Sequence, residues 1–166
     1  MRLWILRHGV AEPLLPDNLD FERTLTLAGK QELALVLKAA KRLGIDPNVL
    51  LTSPLRRAKE TAEIALGVLP CPAAVETPTL IPNAAPERAW AEIAKYGVEA
   101  RVLVVGHQPN LGKLIAYVLG CDLSLDLKKA GLVCLEATQP SGKSGPPKNG
   151  VLRWALTPKV IANLRK

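Results

Sequence analysis

Short apolar runs alternate along this chain with longer stretches whose apolar residues recur at helical spacing. Leu3, Trp4, Ile5 and Leu6 form the first run, which predicts a buried strand delivering its end to a loop at Arg7-His8-Gly9. The stretch 10–24 holds Pro13, Pro16, Asp17 and Asn18 and predicts a loop. Thr26 then predicts the cap of a helix running to about Leu43. Leu33, Val36, Leu37 and Ala40 share one face of it, and Gly44 is placed to end it. A second strand is predicted over 49–52. Ser53-Pro54 follows as an N-cap with proline in the first helical position, opening a helix that buries Leu55, Ala58, Ala62 and Leu66.

Further on, 73–75 predicts an edge strand, and Pro78, Pro82 and Pro86 predict an irregular segment before a helix from about Pro86 to Tyr96. Val102, Leu103, Val104 and Val105 form the strongest strand signal, ending at Gly106-His107, with a helix from about Pro109 to Leu119 directly after. Two more strands are predicted over 132–137 and 151–156. The stretch 139–150 between them is rich in Gly, Pro, Ser and Lys and predicts a mobile hairpin loop. No internal repeat interrupts this order. Strands alternating with helices predict a three-layer α/β/α fold with a mostly parallel central sheet, and the last hairpin predicts one antiparallel strand. The 166 residues fit one domain spanning 1–166.

Composition narrows the picture. Hydrophobic residues make up 48%, enough for a sizeable core, while aromatics at 4% leave Leu, Val, Ile and Ala to fill it. The net charge of +7 favours acidic partners. The positive residues are dispersed and base-stacking aromatics nearly absent, which argues against a nucleic-acid partner. Cys71, Cys121 and Cys134 show no metal-ligand spacing and read as free thiols in a reducing compartment, best explained as buried small hydrophobes. Arg7 and His8 interrupt the first apolar stretch, so no signal peptide is expected. No apolar run approaches the ~20 residues of a membrane helix. A cytoplasmic protein with no membrane partner is the expectation, and its oligomeric state is open.

Chemistry concentrates at three strand ends. Arg7-His8-Gly9, Gly106-His107 and Ser53-Pro54-Leu55-Arg56-Arg57 each follow a predicted strand, and ligands of open α/β sheets bind outside the carboxyl ends of the strands. The chain has two histidines, and both lie at such ends. Two histidines with two or three arginines suit a dianionic phosphoryl group, because guanidinium forks match phosphate oxygens. A helix N-terminus at Pro54 would add anion affinity, and Gly9 would let the backbone pass close to a ligand. A neutral imidazole there can attack phosphorus and form a covalent phosphohistidine. Metal is the rival use for a histidine pair, but the Asp, Glu and Cys spacings match no zinc pattern and the arginines would repel a cation. Neither metal nor cofactor is expected.

Four blocks in order give these residues a family context. Leu6-Arg7-His8-Gly9, Leu25-Thr26-Leu27-Ala28-Gly29, the run from Ser53-Pro54-Leu55-Arg56-Arg57 to Ala62, and Val105-Gly106-His107 resemble the signature of the histidine phosphatase superfamily, the phosphoglycerate mutase-like fold. The Val10-Ala11-Glu12 and Arg23-Thr24-Leu25-Thr26 stretches, the Lys128-Lys129-Ala130-Gly131 turn and the small size resemble the SixA-type phosphohistidine phosphatases. The resemblance implies His8 as nucleophile and Arg7, Arg57 and His107 as phosphate-binding residues. Arg57 holds the position before Ala58 that the family's arginine occupies; Arg56 reads equally as a solvent residue or a binding one.

Arg23 resembles a secondary substrate contact, with a surface salt bridge as its plain alternative. Ser53 and Gly9 complete the expected substrate-binding set, Gly9 and Gly106 through backbone geometry. Larger relatives carry a glutamate general acid where this chain has Leu80-Ile81-Pro82-Asn83, so Pro82 stands in its place. Glu12 is then the candidate proton donor, against a solvated loop carboxylate. The resemblance implies hydrolysis of N-phosphorylated histidine, on a phosphorylated protein domain or a small phosphorylated substrate. A broad small-molecule phosphomonoesterase of the same superfamily and a non-catalytic phosphate-binding module are the alternatives.

Overall fold

The computed structural model describes residues 1–15, 19–137, 147 and 150–164. Six strands form one sheet: β1 (Arg2–Arg7), β2 (Val49–Thr52), β3 (Ala74–Glu76), β4 (Arg101–Gly106), β5 (Leu132–Ala137) and β6 (Gly150–Leu156), in the order β3-β2-β4-β1-β5-β6. β3, β2, β4 and β1 run parallel. β5 is antiparallel to both β1 and β6. One strand therefore opposes the rest, as the hairpin predicted. Among the described residues five α-helices complete the fold: α1 (Leu27–Arg42), α2 (Arg56–Leu66), α3 (Pro86–Ala94), α4 (Asn110–Leu119) and α5 (Pro158–Asn163).

The apolar runs of β1 and β4 are buried on both faces, and alternation along them builds two cores. Trp4, Leu6, Leu103 and Val105 point to the side covered by α1 and α2, packing on Leu33, Val36, Leu37, Ala58 and Ala62. Leu3, Ile5, Val102 and Val104 point to the other side, packing on Ala89, Trp90 and Ile93 of α3 and Leu111, Leu114 and Ile115 of α4. This is the three-layer arrangement. Thr26 caps α1 by accepting from the Gly29 N–H at 2.9 Å, and Gly44 follows the helix at φ 74°. Such a cap stabilises a helix by about 1 kcal/mol.

Two expectations need correction, and one helix is added. α2 begins at Arg56, with Leu55 as its N-cap; the Ser53 hydroxyl accepts from the Leu55 N–H at 3.3 Å one step outside the helix. The hydroxyl is drawn into the core by His107, so it braces the turn and does not cap the first helical turn. Cys134 is buried, but Cys71 is partly exposed and Cys121 exposed, since 121 lies just past the Gly120 stop of α4. α5 was not legible, because six residues give too little periodicity; Thr157 caps it and Pro158 opens it. The predicted hairpin loop over 139–150 falls almost wholly outside the described residues, as do Pro16, Asp17 and Asn18. No helix among the described residues is long and apolar enough to cross a membrane.

Candidate active site

Strand register assembles the site. Arg7 of β1 lies opposite Gly106 of β4, and Thr52 of β2 lies opposite Val105. Pairing continues past the strands: the His8 N–H donates to the Gly106 carbonyl at 3.1 Å, and the Ser53 N–H to the Val105 carbonyl at 3.0 Å. His8 and His107 are thus carried side by side on adjacent strand ends, with ring centroids 4.9 Å apart and planes at 52°. That separation is close to the spacing of neighbouring strands. Both rings are buried, 6% and 1% exposed.

Each ring is held by one hydrogen bond. His8 Nδ1 lies 2.7 Å from its neighbour's carbonyl, Gly9 O. A carbonyl oxygen only accepts, so Nδ1 carries the proton and Nε2 the lone pair. His107 Nε2 lies 2.8 Å from Ser53 Oγ, and its buried Nδ1 has no partner among the described residues. If the Ser53 hydroxyl donates to Nε2, Nδ1 carries a hydrogen free for an incoming acceptor. Burial is the largest cause lowering both rings: His8 falls to about 3, helped by Arg57, Arg7 and Lys129 against the Gly9 hydrogen bond. His107 falls to about 2, with His8 and Arg57 adding to burial. Both are neutral at pH 7.

The arginines stand around this pair. Arg7 Nη1 donates to the Leu127 carbonyl at 2.6 Å and lies 3.7 Å from Asp126 Oδ1, while its buried Nε has no partner among the described residues. Burial lowers Arg7 from its ordinary value, with Asp126 opposing, yet a guanidinium remains charged. Arg57 is 5% exposed and donates through Nη1 to Asp20 O at 2.6 Å and through Nη2 to Asp20 Oδ2 at 3.0 Å. Arg56, one residue earlier on α2, is 53% exposed and pairs with Glu60 and Glu22. The helix turn decides between the two arginines. Among the expected residues, His8, His107, Arg7 and Arg57 therefore come together, each within the electrostatic reach of His8 or His107.

The others sit differently. Ser53 is fully buried beneath His107 and positions that ring. Gly9 donates its N–H to Thr61 Oγ1 at 3.2 Å, and a Cβ there would meet the Gly29 carbonyl at 3.2 Å and Leu25 Cδ2 at 3.4 Å. Its missing side chain serves the packing of the loop on α1, in keeping with the expected role in backbone geometry. Arg23 makes the salt bridge of its plain reading, Nη1 to Asp20 Oδ1 at 2.8 Å, and its Nε donates to Glu12 O at 2.7 Å. Glu12 itself is exposed and contributes main-chain bonds, its N–H going to Thr24 O.

Three further features escaped the sequence. Asp20 joins Arg57 to Arg23, and nothing in a Leu19-Asp20-Phe21 stretch announces that. Thr61 receives the Gly9 N–H and donates to the Arg57 carbonyl at 2.7 Å; its spacing of four residues from Arg57 was the available signal. Ala130 adopts φ 55° so that its N–H reaches the His8 carbonyl at 3.1 Å, which pins the loop bearing the His8 ring. A non-glycine residue in that region costs about 1–3 kcal/mol and persists where the surroundings over-determine it.

Comparison with known proteins agrees with this geometry. A model of the histidine phosphatase superfamily (branch 1) matches residues 3–80. The chain is 34% identical over 148 residues to an uncharacterised protein of Picosynechococcus sp., covering 82% of this chain and 86% of that one. It is 28% identical over 161 residues to the phosphohistidine phosphatase SixA of Escherichia coli, covering 95% and 94%. The structure of the protein histidine phosphatase SixA complexed with tungstate superposes with a TM-score of 0.86 at 28% identity over 99% of both chains. The alpha-ribazole phosphatase of Shigella flexneri superposes at 0.72 and 19% identity, over 92% and 95%, a likeness of fold.

Proposed function

This chain belongs to the histidine phosphatase superfamily, and on that premise we propose that it hydrolyses N-phosphorylated histidine through a covalent phosphohistidine on His8. The observation that carries the reading is the neutral His8 ring, its proton fixed on Nδ1 by Gly9 O and its lone pair left on Nε2. Arg7, Arg57 and His107 surround it as donors for the phosphoryl oxygens, and the unpartnered Arg7 Nε and His107 Nδ1 are two polar atoms that a bound oxyanion would satisfy.

In the first step His8 Nε2 forms a bond to phosphorus while the substrate's P–N bond breaks, its electron pair passing to the leaving nitrogen. A substrate imidazole protonated on its other nitrogen leaves as neutral imidazole, and the positive charge passes to the His8 ring. No proton needs to move. Water then adds to phosphorus, the Nε2–P bond breaks with its pair returning to Nε2, one water proton passes to bulk solvent, and hydrogen phosphate departs. The arginines stabilise charge on the equatorial oxygens during both transfers.

An alkyl ester would instead expel an alkoxide, for which a positioned acid contributes ~10²–10⁴-fold. Pro82 stands where larger relatives carry that acid, and Glu12 is exposed on its loop. Both points favour an activated P–N bond. A protein-borne substrate is favoured by the mouth: Leu19 and Phe21 are exposed on either side of Asp20, offering apolar surface beside the phosphate pocket.

Comparing kcat/KM for a phosphohistidine peptide, an aryl phosphate and an alkyl phosphate tests the proposal. The expected order is peptide, aryl, alkyl. An alkyl ester as the best substrate would overturn it.

A further inference from the structure

The mouth of the site carries an acid that the transfer steps above do not use. Asp20 binds Arg57 through a carboxylate oxygen at 3.0 Å and its main-chain carbonyl at 2.6 Å, and Arg23 through its other carboxylate oxygen at 2.8 Å. Arg57 is 5% exposed and Asp20 45%, so the carboxylate lies on the solvent side of a buried guanidinium. Its charge reaches His107, where it opposes the effects of burial and of the neighbouring cations. Burial pulls Asp20 itself upward, but the Arg23 and Arg57 hydrogen bonds outweigh it and hold the carboxyl below the usual range, so it is an anion at neutral pH.

A negative charge beside a phosphate site weakens phosphate binding, which calls for a compensating use. In-line displacement supplies one. His8 is buried, so the leaving group departs on the side opposite Nε2, toward solvent, and Asp20 is the half-exposed carboxylate held over the buried Arg57. We propose that Asp20 sets the leaving-group selectivity of this site, favouring groups that carry positive charge and excluding those that carry carboxylates. The inference rests on the phosphohistidine reading and deepens it. The reactive substrate in that reading is an imidazolium, positive on the ring and negative on the phosphoryl group. Asp20 faces the ring while Arg7 and Arg57 face the phosphoryl oxygens, so the site is charge-complementary at both ends. Small metabolic esters with a carboxylate beside the phosphate meet Asp20 with the wrong sign.

A purely structural role, bracing Arg57, is the competing explanation. Asp20→Asn separates the two at Arg57, where the amide oxygen and the main-chain carbonyl still accept while the charge is removed; the hydrogen bond from Arg23 is lost with the second carboxylate oxygen. The probes are two phosphonates of similar size, 2-aminoethylphosphonate with an ammonium and phosphonoacetate with a carboxylate, with binding read by calorimetry. Wild type is expected to bind the ammonium compound more tightly. Asp20→Asn should tighten phosphonoacetate more than its partner and shrink the affinity ratio about tenfold, in the range of one charge acting across a partly screened gap. The variant's kcat/KM for the phosphohistidine peptide should fall relative to that for an uncharged aryl phosphate.

Equal changes for both phosphonates would leave bracing as the whole role and overturn the proposal. Asp20→Ser is the second variant, since it keeps the main-chain carbonyl on Arg57 and also removes the charge; an affinity ratio unchanged from wild type in either folded variant would overturn the proposal. Because the phosphonates report binding alone, failure of the phosphohistidine reading in the substrate comparison leaves this result readable.

Discussion

His8 and His107 stand 4.9 Å apart because β1 and β4 are parallel neighbours in a register that ends both strands at the same level. One ring keeps its lone pair on Nε2, and the other has a buried Nδ1 with no partner among the described residues. The two should therefore fail differently. His8→Ala is expected to abolish turnover and the acid-labile phosphoenzyme, since no other group offers the nucleophile. His107→Ala is expected to lower kcat by ~10²–10³-fold, the usual loss for one stabilising donor, and to leave the phosphoenzyme detectable. Quench-flow trapping with labelled substrate distinguishes them. A fully active His8→Ala would refute the covalent mechanism.

Arg56 and Arg57 are adjacent in sequence and opposite in environment. Arg57→Lys replaces a fork with a point charge and loses a charge-assisted hydrogen bond of about 1.5–3 kcal/mol, so kcat/KM should fall ~10–150-fold. Arg56→Ala removes exposed ion pairs of the kind worth ~0–1 kcal/mol, and both rate and stability should stay near wild type. Steady-state kinetics on the two variants decides the assignment; a larger loss in Arg56→Ala would reverse it.

The buried histidines tie folding to pH. His8 and His107 have folded values near 3 and 2, below the ordinary 6.5 that they regain on unfolding. Below pH ~6.5 the unfolded chain binds more protons than the folded one, so this contribution to stability is present above that pH and is lost as pH falls toward the folded values. His8→Gln removes one of the two groups. The variant's stability relative to wild type should rise between pH 7 and pH 4, measured by urea denaturation at each pH. A constant difference would mean His8 is not buried neutral.

Pro82 and Glu12 make opposite statements about proton donation. If Glu12 serves ester substrates, Glu12→Gln should slow hydrolysis of an alkyl phosphate while leaving the phosphohistidine peptide unchanged. Equal slowing of both would show that the P–N reaction also draws on this acid.

Charge from arginine should make a divalent ion unnecessary for turnover. Activity is expected to survive extensive dialysis against a chelator. Loss of activity that returns on adding a divalent ion would count against this.

Much of the molecule could be read from local pattern. The apolar runs of β1 and β4, the helical face of α1 and the Thr26 cap are short-range features, dictated by residue spacing and by hydrogen bonds a few residues long. The placement of both histidines just past apolar strands was equally local, and parallel α/β topology carries strand ends to one edge. What the tertiary structure decided depended on contacts between segments far apart in sequence. Ser53 left its capping position because His107, 54 residues away, holds its hydroxyl in the core. Asp20 became part of the site because the loop before α1 folds over α2 and sets it against Arg57, 37 residues on. Gly9 is glycine because Gly29 and Leu25 press against it. A residue's neighbours along the chain set its backbone preference, but burial and partner are set by packing, and a buried polar group must take whichever partner the packing brings.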